Sequence, residues 1–140
     1  MSILSDFFIA DQSEALQYAG GEGVHESDRC QFRRITPLEA AAMLQIFRNA
    51  EDRIALLKEF VLISPREAEE WTMTVPHDMV ESLASLDAGG TSTLAQKLAA
   101  ATSEELGWPV GDFESVVVAL SQLAQRAIAS KKNMYLWNSL

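Results

Sequence analysis

The 140-residue chain is acidic, with 20 Asp and Glu against 11 Lys and Arg and a formal net charge of −9 at pH 7. Nucleic-acid binding needs clustered bases, and the pairs Arg33–Arg34 and Lys131–Lys132 are too short to supply them, so the composition excludes that class. Hydrophobic residues make up 48% of the chain, which predicts one globular domain over 1–140.

The first third of the chain predicts two strands and a capped helix. Residues 6–10 form a short apolar run rich in phenylalanine, and 31–35 alternate weakly, so both predict strands. Residues 20–30 are rich in glycine and charged residues and show no hydrophobic periodicity, which predicts a loop. The TPLE run at 36–39 offers a capping threonine, a proline at the first helical position and a glutamate that closes a capping box, which predicts a helix start.

Residues 58–76 carry conflicting signals. The SPRE run at 64–67 repeats the cap pattern and favours a helix, whereas the β-branched and aromatic runs on either side favour strands over 59–64 and 70–76. We interpret the segment as a hairpin whose long loop contains a helical turn. Pro76 should end its second strand, because proline cannot donate to a ladder.

The second half of the chain has a helical pattern. Gly89 and Gly90 should stop the helix that begins near His77, and Thr91 or Ser92 should cap the next one. Apolar residues at helical spacing over 112–131 predict the strongest helix and a central packing element. The apolar tail at 134–137 should pack on the core, with an edge strand as one option.

Together these elements predict an α+β fold with a helix-rich C-terminal half. A small antiparallel sheet of about four strands (6–10, 31–35, 59–64 and 70–76) is expected under four to five helices.

Residues with versatile chemistry are scarce, since the chain has one cysteine and two histidines. His25 and Cys30 share the glycine-rich loop, which offers too few ligands for zinc, and Cys30 is better explained as a buried filler. His77 and Glu81 share a helix face as a possible acid–base pair, although helix capping explains this pattern better. The sequence therefore predicts no catalytic residue, no metal site and no cofactor.

Two acidic clusters are the candidate partner-binding residues. They are Glu22, Glu26 and Asp28 in the glycine-rich loop, and Glu67, Glu69 and Glu70 in the hairpin loop. If folding joins them, they form an acidic patch suited to a basic protein. The alternative, which the sequence favours, is two loops that are solvated independently.

The FFIA segment at 7–10, the TPLE run and the YLW ending at 135–137 resemble segments of small acidic bacterial proteins. This resemblance implies a bacterial origin and transfers no functional residue. A single cysteine fits a reducing compartment, and no apolar run reaches the roughly 18 residues of a membrane span. We therefore expect a cytoplasmic protein that binds neither membrane nor nucleic acid.

The leading hypothesis for function is a non-catalytic interaction protein that binds a basic partner protein, with an immunity-type role against a toxin as one version. A second hypothesis is a small-molecule-binding domain or minor enzyme that uses carboxylates and a histidine. A third is a structural subunit of a homo-oligomer, with Tyr135, Leu136 and Trp137 in the interface.

Overall fold

Four antiparallel strands form one sheet in the computed structural model, which describes residues 3–65 and 69–140. The strands are β1 (Leu4–Ala10), β2 (Arg29–Arg33), β3 (Glu70–Thr74) and β4 (Asn133–Ser139), and their order in the sheet is β2-β1-β4-β3. The helices are α1 (Gln12–Ala15), α2 (Pro37–Arg48), α3 (Arg53–Leu56), α4 (His77–Ala84), α5 (Ala88–Ala101) and α6 (Val110–Ser130). The predicted α+β class is confirmed.

The fourth strand differs from the prediction. Residues 59–64 form no strand: a 3-10 turn at Leu57–Glu59 is followed by a single bridge from Leu62 to Met73. The C-terminal tail supplies the strand instead, as β4, and it lies between β1 and β3 rather than at an edge. A central strand is covered on both faces, which suits the apolar tail better than a run whose Val61 is 55% exposed.

The tail also does not offer the interface predicted for a homo-oligomer. Tyr135, Leu136 and Trp137 are 2%, 0% and 3% exposed within the single chain. Both edges of β4 are hydrogen-bonded, to β1 on one side and to β3 on the other. This segment therefore has neither a free face nor a free edge for a second copy.

Two smaller boundaries shift for local reasons. β2 begins at Arg29 rather than at 31 and ends at Arg33, because Arg34 adopts a left-handed backbone with φ 67°. Gly89 and Gly90 do not stop a helix but lie in the first turn of α5, which Asp87 caps by accepting the Gly90 N–H at 2.7 Å. Aspartate is a strong N-cap, and glycine is tolerated where the first N–H groups have no helical partner.

The helix start at 36–39 is confirmed. Thr36 accepts a hydrogen bond from the Leu38 N–H, and Glu39 accepts one from the Thr36 N–H at 2.9 Å. The helix predicted over 112–131 is observed as α6, which contacts α4, α5, β1 and β2 and buries Phe113, Val117 and Leu120. Within the two described ranges, no helix is both long and apolar enough to cross a bilayer.

The two faces of the sheet are covered differently. Phe7, Ile9 and Leu136 face the helices and belong to the main core. The opposite face carries a smaller cluster that includes Phe8, Tyr135 and Trp137, and the chain between β1 and β2 covers it with Ala15 and Tyr18. This second face is only partly covered, and it carries the site described below.

Candidate functional site

The first predicted acidic cluster is partly neutralised within the chain. The Asp28 carboxylate lies 2.7 Å from Arg126 Nη2 and 3.9 Å from Lys132 Nζ. Glu22 and Glu26 are exposed and form no ion pair with the bases that the structure describes. Two free carboxylates therefore remain in this loop.

The second cluster lies at the opposite side of the sheet. Glu67 falls outside the described residues, whereas Glu69 is exposed and Glu70 begins β3. β2 and β3 are the two edges, separated by three strand spacings or roughly 14 Å. Glu70 is aligned with Arg33, the end of β2 that is remote from Asp28. The structure therefore does not join Glu70 to the first cluster, in agreement with two separate loops.

Both histidines lie at the surface. His25 is exposed, and its Nδ1 accepts the Ser27 N–H as the cap of a 3-10 turn. His77 and Glu81 share a helix face as their spacing predicts, with 3.5 Å between Nε2 and Oε1, but their side chains are 77% and 62% exposed. Across 3–65 and 69–140, no three His, Cys, Asp or Glu side chains are grouped closely enough to hold a metal ion.

Cys30 is packed against the core. Its side chain is half-buried on the helix face of β2, with Sγ 3.6 Å from the Ala119 carbonyl oxygen. Burial raises the pKa of this thiol to about 11, so the sulfur stays protonated at neutral pH. This environment agrees with the interpretation of Cys30 as a filler.

A row of polar side chains crosses the open face of the sheet. The register aligns Asp6 of β1 with Gln31 of β2 on one side and with Trp137 of β4 on the other. Residues that are directly opposite in a sheet project to the same face, so these three side chains lie next to one another. We call Gln31, Asp6 and Trp137 the polar row.

Asp6 is the buried centre of the polar row, at 3% exposure. Its Oδ2 accepts two hydrogen bonds, from the Tyr18 hydroxyl at 2.7 Å and from Gln31 Nε2 at 3.2 Å. Its Oδ1 accepts none from any described residue. Burial and the hydrogen bond to Asp6 raise the pKa of Tyr18 far above its usual range, so this hydroxyl keeps its proton and acts as a donor.

Trp137 carries the second unsatisfied group of the row. Its indole Nε1 is buried and has no hydrogen-bond partner among the described residues. The ring makes an edge contact with Tyr18, with centroids 5.8 Å apart, and lies beside Gly20. A Cβ at Gly20 would lie 3.4 Å from Trp137 Cη2, and the φ of +56° there also favours glycine.

The polar row borders an open depression of about 260 Å³, which we call the sheet-face cavity. Leu4, Gly20, Phe32 and Arg33 complete its wall. The Arg33 side chain is exposed and makes no hydrogen bond or ion pair with a described residue. The wall of the cavity therefore combines a carboxylate oxygen and a guanidinium that no described residue binds with the ring of Trp137, whose indole N–H is buried and unpartnered.

The outer edge of β2 is also unpaired. The Arg34 N–H donates to the Ile3 carbonyl at 2.7 Å, and in an antiparallel ladder such hydrogen-bonded pairs alternate with pairs whose groups point away. The N–H and C=O groups of Arg29, Gln31 and Arg33 therefore point outward from the sheet. No described residue bonds to these groups.

The other edge of the sheet is covered. The Ile63 N–H donates to the Thr72 carbonyl, and the Thr74 N–H donates to the Val61 carbonyl, both at 2.9 Å. Ser64 Oγ accepts the Thr72 N–H at 3.0 Å. Residues 61–64 thus protect β3, which leaves β2 as the accessible edge.

Sequence reasoning missed Asp6, Tyr18, Gln31 and Trp137 as a group. One local signal was present, since Asp6 is a charged residue within an otherwise apolar strand. Their assembly depends on register between strands from both ends of the chain, which local patterns do not encode. Comparison with protein-family models, with curated proteins and with solved structures finds no match to this chain.

Proposed function

We propose that this protein is a non-catalytic interaction module of the bacterial cytoplasm, and that the open edge of β2 is its docking element. The observation that supports this proposal is the outward set of backbone groups at Arg29, Gln31 and Arg33. An extended segment of a partner protein would pair with them and extend the sheet by one strand. Each backbone hydrogen bond would contribute about 0.5–1.5 kcal/mol net.

The side chains of β2 define the partner segment. Arg29, Gln31 and Arg33 project to the open face, whereas Cys30 and Phe32 project toward the helices and pack on the core. An added strand would place every second residue beside the arginines and the others beside the apolar pair. The favoured segment therefore alternates acidic and apolar residues.

A second copy of this chain is a poor occupant of the same edge. Antiparallel pairing of two β2 strands about Gln31 would place Arg29 of one copy opposite Arg33 of the other. Like charges directly opposite each other destabilise a sheet, and charged edge strands are a common protection against self-association. The edge thus selects a different protein.

Amide NMR tests this proposal with two short synthetic peptides, one in which Glu alternates with Val and one in which Lys alternates with Val. The Glu peptide should shift the backbone amide signals of Arg29, Gln31 and Arg33, and the Lys peptide should bind at least tenfold more weakly. Absence of binding, or shifts confined to another surface, would contradict the proposal.

Variants at Arg33 separate the contribution of its backbone N–H to binding from the contribution of its charge. Arg33→Pro removes an outward N–H that β1 does not use, so the fold should persist while Glu-peptide affinity falls at least tenfold. The matched control Arg33→Gln keeps the N–H and should lose less. A double reversal, Arg29→Glu with Arg33→Glu, should switch the preference to the Lys peptide. Unchanged preference in that variant would also refute the proposal.

A basic partner protein, including an immunity-type target, is a second candidate. The net charge of −9 supports it, because Arg48, Arg53, Arg126 and Lys132 are already paired with acids and leave most carboxylates unmatched. Such binding would be steered by the charge of the whole molecule and weakened by salt. Pull-downs at low and high salt test it, and captured proteins that do not change with salt would argue against it.

A further inference from the structure

We propose that the sheet-face cavity binds a small zwitterion, a molecule that carries an ammonium group and a carboxylate a few ångströms apart. Free amino acids are the simplest members of this class. The inference rests on groups of the cavity that the folded chain leaves unpaired, and it does not depend on the β2 edge binding a partner.

One side of the cavity accepts hydrogen bonds. Tyr18 and Gln31 both donate to Asp6 Oδ2, so Oδ1 keeps its full capacity while its residue is 3% exposed. Because the Gln31 amide spends its Nε2 on Asp6, its Oε1 is left as a second acceptor. An ammonium group is the complement of a carboxylate oxygen next to an amide oxygen.

The other side of the cavity donates hydrogen bonds. Trp137 Nε1 is buried without a partner, and an indole N–H can act only as a donor. Leaving such a group unsatisfied is unfavourable, so a ligand oxygen would gain a bond that the free protein lacks once the atoms that cover Nε1 move aside. The unpaired Arg33 guanidinium on the same wall favours a carboxylate in that position.

Charge balance and size restrict the ligand further. With Asp6 and Arg33 on its wall, the cavity carries one charge of each sign, so a simple cation or a simple anion would leave one of them unmatched. A volume of about 260 Å³ lies below the roughly 300–1,000 Å³ typical of sites for larger ligands. A small molecule with both charges satisfies both conditions.

The indole N–H signal of Trp137 provides a residue-specific assay. The chain has three tryptophans, so a ¹⁵N-labelled sample gives three indole cross-peaks, and Trp137→Phe identifies the relevant one. The twenty proteinogenic amino acids are added one at a time at millimolar concentration, with acetate and methylammonium as probes that carry a single charge. At least one amino acid should shift the Trp137 peak saturably, and neither single-charge probe should do so.

Two variants and one control test the assigned roles. Asp6→Asn removes the carboxylate without changing its size, and Arg33→Gln removes the charge of an exposed side chain whose loss should not affect folding. Each should weaken binding of the amino acid at least tenfold, whereas Arg34→Gln, outside the cavity, should not. A Trp137 peak that no amino acid shifts, an equal response to acetate alone, or full affinity in Arg33→Gln would overturn the proposal.

Discussion

Removing the Tyr18 hydroxyl is the most direct test of the buried polar row. In Tyr18→Phe the ring keeps its stacking on Phe8, with centroids 4.0 Å apart, and its edge contact with Trp137. The variant loses the hydroxyl, with its 2.7 Å hydrogen bond to Asp6 Oδ2 and its interaction with the Gly21 backbone. A hydrogen bond to a charged acceptor contributes about 1.5–3 kcal/mol, and its loss leaves a buried carboxylate with Gln31 alone.

Thermal and urea unfolding measure this cost. We expect the free energy of unfolding to fall by about 2 kcal/mol, which at about 3 °C per kcal/mol for a chain of this size lowers Tm by about 6 °C. Tyr135→Phe is the matched control, because that buried ring also stacks on Phe8 and its hydroxyl bonds to no described residue. Equal losses in the two variants would refute the bond between Tyr18 and Asp6.

Three further predictions concern single positions. Gly20→Ala should lose about 1–2 kcal/mol in urea unfolding because of its φ of +56°, whereas Gly111→Ala, in helix α6 with no atom near its Cβ, should gain about 0.5 kcal/mol. With its pKa raised from 9.0 to about 11, Cys30 should react with iodoacetamide at pH 8 at least about 100-fold more slowly than in the urea-unfolded chain. The contribution of the buried thiol to stability is fully present below pH 9 and should be lost as the pH rises toward 11, and Cys30→Ala should reduce that loss. Arg48→Met should lower the free energy of unfolding by about 1 kcal/mol at neutral pH, a modest loss because the ion pair between Arg48 and Asp78 is exposed. Since Arg48 lowers the pKa of Asp78, this contribution should be present above pH 3.8 and vanish as the pH falls through the lower pKa of the folded state, which urea unfolding at several pH values measures.

Signals contained within one continuous segment of the chain predicted the structure well. The TPLE run at 36–39 became the start of α2 because all the groups of a capping box lie within four residues. The helix predicted over 112–131 was displaced by only a residue or two, since its apolar spacing alone defines a buried stripe. In both cases the signal lies within one continuous segment of the chain, although α6 is then stabilised by its contacts with α4, α5 and the sheet.

Choices between competing segments were not predictable in this way. The run at 59–64 and the tail at Asn133–Ser139 have similar strand propensity, and only the tail can pair with β1 and β3 at once. The glycines at 89 and 90 predict a helix stop, but they lie in the first turn of α5, which Asp87 caps. Asp87 can take this role only because the preceding helix already ends at Ala84, which the local pattern does not show. Strand order and helix ends of this kind are settled by tertiary contacts.

The candidate site was the least predictable part of the structure. A comparison of the polar row with its neighbouring row in the sheet indicates why these positions are polar. In the next row of the sheet, Phe8 and Tyr135 are apolar neighbours, so the fold accepts hydrophobic side chains on this face. Buried polar groups replaced by apolar ones of similar volume often leave a protein equally or more stable.

We therefore expect the double variant Asp6→Leu with Tyr18→Phe to unfold at a urea concentration no lower than that of the wild type, because it leaves no buried carboxylate without partners. The same variant should lose the response of the Trp137 indole signal to amino acids. Stability gained at the expense of binding is the pattern of a site maintained for its ligand. A double variant that is less stable than Tyr18→Phe alone would instead indicate that the polar row serves the fold.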